Sequence, residues 1–467
     1  MHESPGRSLR ARKMAILNNV TAAEQHKRMT ETPVLPLTVS LALPALASQL
    51  VTVIYNTADT WFVSQIDTSA SAAVGAAFAL QSLIQAFGYG FGMGAGSLVS
   101  RRLGAKKKED ADVIASSAFA GAVVTGLLIA VFGLVSLEPL MKLLGSTPTM
   151  LPYACDYARY ILIAAPVMCG AFVLNIVTRS SGDATRSMIG LCAGGILNIL
   201  LDPLFIFVFD MKISGAALAT ALSQLTSFVI LGIPYVTKKS VVSLSPAKVS
   251  KNFGVYYSIL STGFPTICRQ GLASLSAALM NRCAGVYGDA AVSAMSISYK
   301  VYLLVRNATL GIGQGFQTVA GYNYGAGNKK RTKDSFKVAV VLGTAMCMIS
   351  GAFVALFPGE IMSFFRKADP DVIEIGKTAL LYACAVIPFM AYSTYVNQLY
   401  QCLGFRVRAT ILASCRQGLC FLPLVLLLPG RLGLTGVQLL QPGADFLTFL
   451  VSVPFQIVFF RKYLNDK

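Results

Sequence analysis

The sequence predicts an all-α polytopic membrane protein, with twelve transmembrane helices in two repeated six-helix lobes around a central cavity. Three observations lead there. Of 467 residues, 55% are apolar and only 13% charged, whereas a soluble domain carries roughly 25% charged residues. Uncharged stretches long enough to cross a bilayer recur along the chain. The pattern of prolines and glycines repeats at a nearly fixed offset. A mean hydropathy of +0.63 and 40 glycines fit the same class.

Residues 1–33 are polar and basic (Arg7, Arg10, Arg12, Lys13, Lys27, Arg28). Without an apolar core they read as a cytoplasmic tail and not a signal peptide; Met29 is an alternative start. From Val34 onward, apolar stretches alternate with short charged loops. Val113–Val135, Ile213–Tyr235 and Val338–Pro358 are free of charge and long enough for a core of about 30 Å at 1.5 Å per residue. The helices are expected near 36–64, 70–101, 113–135, 157–178, 187–209, 213–236, 255–284, 290–322, 336–357, 375–402, 407–429 and 433–460. The first lobe then spans 34–237, a linker 238–254, the second lobe 255–460 and a short tail 461–467.

One set of loops is basic: Arg101, Arg102 and Lys106 to Lys108; Arg179 and Arg186; Lys238, Lys239, Lys248 and Lys251; Lys329, Lys330, Arg331 and Lys333; Arg406 and Arg408; and Arg461, Lys462 and Lys467 at the end. The alternate loops hold acids: Asp67, Glu138, Asp210, Asp289, Glu360, Asp369 and Asp371. The positive-inside rule therefore puts both termini in the cytoplasm. It also accounts for the net charge of +18 without a nucleic-acid partner. The repeat is explicit. Pro44 and Gly90, Gly92, Gly94 and Gly104 recur 221 positions later as Pro265 and Gly311, Gly313, Gly315 and Gly325. Pro148, Pro166, Asn175, Gly182 and Arg186 recur 222 positions later as Pro370, Pro388, Asn397, Gly404 and Arg408. Six helices per repeat return the second lobe to the orientation of the first, so a pseudo-two-fold axis along the membrane normal is expected, with the working site between the lobes.

Ionisable groups inside the membrane are costly unless neutralised, paired or used. In the first lobe these are Asp59 in the first helix and Asp202 in the fifth, with Asn198 one turn before Asp202 on the same face. Asp202 lies sixteen positions past Arg186, about 24 Å along the helix, in the outer half; Thr220 falls at a similar depth. Two carboxylates, an amide and a hydroxyl at one level form a set of hard oxygens for Na⁺, or a proton site. The alternative is local capping by Asp59 and a helix end at Asp202 before Pro203. The second lobe has no matching acid. It carries Arg269, Gln270, Lys300 and Arg306, with Asp445 in the last helix or backbone carbonyls expected to neutralise one of these bases; structural pairing and contact with substrate are both open for Arg269 and Lys300.

Other chemistry is excluded by what the chain lacks. Both histidines, His2 and His26, are in the tail, so no imidazole serves metal binding, a catalytic triad or a proton relay in the membrane. The ten cysteines form no C-x-x-C pair and read as packing residues. The G-x-G-x-G runs at 90–94 and 311–315 follow no strand and precede no Walker lysine, so they read as close helix packing, and ATP is not expected to drive the protein. An enzyme is not expected, nor any cofactor beyond a coupling ion.

The strings LPALASQLVTVIYNTADTWFVS in the first helix, GAGSLVSRRLGA after the second, ILNILLDPLFIF in the fifth and GIGQGFQTVAGYNYGAGNKKR after the eighth resemble the multidrug and toxic compound extrusion (MATE) transporters. The last string, with GFPTICRQ in the seventh helix, looks most like the bacterial MepA-like branch. The resemblance covers Val34 to Phe460. It implies a secondary antiporter of a bacterial plasma membrane that expels amphipathic, often cationic drugs or metabolites in exchange for H⁺ or Na⁺; the expected partners are such small molecules and the bilayer, and a monomer is expected. It also implies a cation site at Asp59, Asn198, Asp202 and Thr220, with Tyr157 a further member by spacing. The helix-seven glutamate of another branch is missing. A flippase for lipids or lipid-linked oligosaccharides, meeting a pyrophosphate with Arg269, Lys300 and Arg306, is the alternative; a membrane-embedded enzyme and a passive channel fit less.

Overall fold

The computed structural model describes residues 21–66, 68–365 and 369–464. His2, Arg7, Arg10, Arg12, Lys13, Asp67 and Lys467 lie outside them. Twelve long helices follow one another: α1 Val34–Ser64, α2 Thr68–Gly104, α3 Lys108–Val135, α4 Leu151–Ser180, α5 Ala184–Val208, α6 Lys212–Val236, α7 Phe253–Gly285, α8 Asp289–Gly325, α9 Lys329–Leu356, α10 Pro370–Leu403, α11 Arg406–Gln438 and α12 Leu440–Leu464. Among the described residues nine of them are long and apolar enough to cross a membrane; α2, α7 and α8 are the remaining three. Large apolar side chains such as Leu127, Val131 and Phe132 on α3 and Ile349 and Phe353 on α9 are exposed. That surface is unfavourable in water and natural against lipid. The molecule is a multi-pass membrane protein.

Several helices are longer than expected. α4, α9 and α10 begin six, seven and five residues early, at Leu151, Lys329 and Pro370: a proline in the first turn starts α4 and α10, and the basic turn of α9 continues its helix beyond the apolar stretch. α12 starts at Leu440 and not at 433: Gly433 takes a left-handed φ of 60° that breaks α11, and a further turn reaches Gln438 before the last span begins.

Each lobe is built around one central helix. α4 is buried along most of its length and packs on α2, α3, α5 and α6; α10 packs on α8, α9, α11 and α12. The turns that follow these hubs are equivalent. Gly182 and Gly404 both have left-handed φ, 95° and 88°, a region that costs glycine little. The Asn175 amide donates to the Ser187 carbonyl at 3.0 Å, and Asn397 donates to the Ala409 carbonyl at 2.7 Å. Both partners are shifted by 222 positions, so the sequence repeat is also a repeat of hydrogen bonds. The linker is pinned to α3: Asp112 accepts from the Ser243 N–H at 2.8 Å, the Ser243 hydroxyl at 2.7 Å and Lys248 Nζ at 2.6 Å.

The lobes meet along α1, α2, α7 and α8, and glycines let the backbones touch at the end that carries the basic loops. A Cβ on Gly94 would collide with the Ile259 carbonyl, and one on Gly263 with the Gly90 carbonyl. Across α1 and α8, a Cβ on Gly311 would sit 2.5 Å from Leu46 Cα and one on Gly315 2.5 Å from Ala42 N. At the centre, Gly104 abuts the Tyr322 carbonyl while Gly325 abuts the Arg101 carbonyl. Shifting each member of that last contact by 221 exchanges one half for the other, the signature of a pseudo-two-fold axis. Arg101 Nη1 also crosses the seam to the Leu403 carbonyl at 3.0 Å.

Candidate functional site

A buried polar constellation inside the first lobe sits where α1, α4, α5 and α6 converge. α5 approaches α6 closely because Gly190 faces Leu231 and Gly194 faces Ser227, and it approaches α1 because Gly195 faces Tyr55. These close contacts bring short side chains within bonding range. Asn198 Nδ2 donates to Asp202 Oδ1 at 3.3 Å and to Thr220 Oγ1 at 3.4 Å. Asp202 is fully buried and Asn198 and Thr220 nearly so. α5 does not end at Asp202: its hydrogen bonding continues through Pro203 into a π turn over Leu204–Val208, the kind of irregularity often found at functional sites. Asp202 is thus held by an intact helix and is not a terminal cap.

Tyr157 of α4, also buried, reaches toward Thr220 and lies in electrostatic range of Asp59, Asp202 and Tyr55; Asp59 and Asp202 are in range of each other. Asp59 makes no hydrogen bond to the other three. The unsatisfied atoms are the informative ones: Asp59 Oδ1, Asn198 Oδ1, Asp202 Oδ2 and Ser223 Oγ are all buried without a partner among the described residues. Three of the four can only accept unless a carboxyl is protonated. Such buried acceptors are normally matched by donors, so this cluster is short of positive charge or protons. A pocket of about 20 Å³, room for a water or a bare ion, is lined by Asn198, Thr220, Tyr55, Ser223 and Gln224. Tyr55, Ser223 and Gln224 escaped the sequence reading; they lie one helical turn from Asp59 or Thr220, which is the signal that points to them.

The second lobe differs in chemistry. Asp445 does not pair with Arg269, Lys300 or Arg306: its ion-pair partner is Arg416, on the π turn of α11, whose Nε donates to Asp445 Oδ1 at 2.6 Å. Tyr302 donates to Asp445 Oδ2 at 2.6 Å and Gln441 to Oδ1 at 3.2 Å, while Arg416 also bonds the Tyr302 hydroxyl. Arg416 is not among the site residues expected from the sequence. Lys300 is exposed, Gln270 is half-buried on α7, and Arg269 and Arg306 share a small pocket with Arg416.

Comparison with known proteins follows the same two-fold plan. The MatE family model matches the chain twice, over residues 44–204 and 265–427, two stretches that begin 221 positions apart. The multidrug export protein MepA of Staphylococcus aureus (strain MSSA476) is 26% identical over 415 residues, 89% of this chain and 91% of its own length. MepA of Staphylococcus haemolyticus (strain JCSC1435) is 26% identical, covering 85% of this chain and 87% of its own. A crystal structure of a MATE protein in complex with MaL6 superposes with a TM-score of 0.89 at 24% identity, over 93% of this chain and 98% of that one; the fold is shared. With both halves matched by the family model, the chain belongs to the MatE family of transporters.

Proposed function

We propose that the protein is a secondary antiporter that exports amphipathic, often cationic compounds in exchange for H⁺ or Na⁺ by alternating access. The cluster of buried oxygens without donors around Asp59, Asn198, Asp202 and Thr220 carries this reading, because an entering proton or Na⁺ supplies the positive charge these acceptors lack. The name of the staphylococcal relatives, multidrug export protein, supports the cargo class. The basic loops support a topology with the glycine seam and both termini on the cytoplasmic side of a bacterial plasma membrane. With that seam packed, the arrangement suits release of cargo to the outside.

Coupling requires that cation and drug differ in affinity between the two lobe arrangements, since a ligand bound equally well in both shifts nothing. A swing from 1:99 to 99:1 takes about 5.5 kcal/mol of differential binding, within reach of one buried carboxylate that is charged in one arrangement and neutralised in the other. Reconstituted protein under separately imposed pH and Na⁺ gradients tests this. One gradient is expected to drive ethidium transport, and Asp59→Asn to abolish it while the protein still inserts. Undiminished gradient-driven transport by that variant rejects the role of Asp59.

A further inference from the structure

We propose that the second lobe holds a binding site for an oxyanion, the carboxylate or phosphate group of an amphiphile, built by Arg269, Arg306 and Arg416. This deepens the transporter reading above and rests on it. The three arginines come from α7, α8 and the π turn of α11 and line one pocket of about 30 Å³, together with Ser393, Thr394 and Asn397. Arg306 and Arg416 are only 6% and 8% exposed. Asp445 is the carboxylate paired there, and it is engaged by Arg416, Tyr302 and Gln441. Three guanidinium groups against one carboxylate leave a net charge of +2 between membrane-spanning helices. Arg269 Nε and Arg306 Nε are buried with no acceptor.

The two lobes are therefore opposite in what they lack. The cluster around Asp202 has acceptors in need of a cation, and the arginine pocket has donors in need of acceptors. A guanidinium presents several N–H groups in a planar fork that matches the oxygens of a carboxylate or phosphate, and charge-assisted bonds of this type are among the strongest available. The pocket accommodates the anionic group and not a whole drug. Arg269 is in electrostatic range of Tyr89 on α2 of the other lobe, so the body of the ligand would extend into the space between the lobes. The predicted cargo includes zwitterions and anionic amphiphiles as well as cations.

Rhodamine 110 and rhodamine 123 provide a matched test, because the second is the methyl ester of the first and lacks its carboxylate. Their binding to the purified full-length protein is followed by fluorescence anisotropy, in micelles with phosphatidylcholine or with phosphatidylglycerol. In phosphatidylcholine, rhodamine 110 is expected to bind at least about tenfold more tightly than rhodamine 123, the size of one charge-assisted hydrogen bond. Arg306→Gln is expected to bring that ratio near one, whereas Arg306→Lys, which keeps the charge, retains part of it. If the preference exists in phosphatidylcholine and vanishes in phosphatidylglycerol, the site stands and a lipid headgroup is its occupant. Equal binding of the two dyes by the unaltered protein in both lipids overturns the proposal. Gradient-driven transport of rhodamine 123 in liposomes separates the two readings: if it persists while the dyes bind equally, only the anion site falls.

Discussion

Asn323 donates from its side chain to the main-chain carbonyl of Met29 at 3.1 Å, which ties α8 to a short helix, Ala22–Glu31, that precedes the first span. Asn323 also accepts from Arg331 Nε at 3.0 Å, and Arg331 donates to the Thr32 carbonyl. His26 lies against the Tyr322 ring, with 5.6 Å between centroids. On the other lobe, Gln25 is packed so tightly on Gly182 that no Cβ fits between them. The helix thus touches both lobes beside the glycine seam. Cys402 reports on this seam, because it is buried in a pocket lined by residues of both lobes, Ser100 and Arg179 among them. Loss of the Asn323 hydrogen bonds in Asn323→Ala is expected to speed alkylation of Cys402 by N-ethylmaleimide about five- to thirtyfold, the equivalent of one or two bonds worth about 1 kcal/mol each. An unchanged labelling rate would mean that this helix does not help to close the seam.

The glycine contacts themselves predict a second effect. A methyl group at position 263 meets the Gly90 carbonyl, which is backbone and cannot rotate away. Gly263→Ala should therefore force α2 and α7 apart, at a cost of about 1–3 kcal/mol to the closed seam. Cys402 labelling should rise and the variant should favour the arrangement open to the basic-loop side. Gly232→Ala on α6, where a Cβ meets nothing within 4 Å, serves as the comparison and is expected to leave labelling unchanged.

The repeat, the number of spans and the glycine packing were legible in the sequence because each follows from regular spacing of residue types with one dominant physical use. Asn198, Asp202 and Thr220 were legible for a related reason: polar groups are expensive in lipid, so their presence at matched depth already implies company. Arg416 was not, because it lies in an otherwise apolar span and only the π turn over Cys415–Leu419 decides which way it faces. The helix Ala22–Glu31 was not legible either. Its value lies in Gln25 and Met29, which are buried against loops far away in sequence, and nothing in a short polar segment announces such partners.

Ser223 supplies a sharper test of the first-lobe cluster than its acids do. Its hydroxyl is buried without a partner and shares a pocket with Asn198 and Thr220. If it belongs to the cation's surroundings, Ser223→Ala removes one oxygen and leaves both carboxylates in place. The half-saturating concentration of the driving cation should rise about three- to tenfold, the equivalent of roughly 1 kcal/mol, with the maximal rate retained. An effect on maximal rate alone would place Ser223 outside the cation site.

Arg416 and Asp445 form a buried ion pair at 2.6 Å with Tyr302 and Gln441 as further partners. Such pairs repay little of their desolvation cost, yet removing one member leaves an uncompensated charge and costs about 3–5 kcal/mol. Asp445→Leu should therefore lower the thermal unfolding midpoint of the purified protein clearly. Asp445→Leu combined with Arg416→Met, which removes both charges, should recover most of that loss despite carrying the larger change. The penalty comes from the orphaned guanidinium and not from the bond itself. A double variant less stable than the single one would show instead that the pair is a net stabilising element of the second lobe, and that the lobe depends on Asp445 to hold its arginines in place.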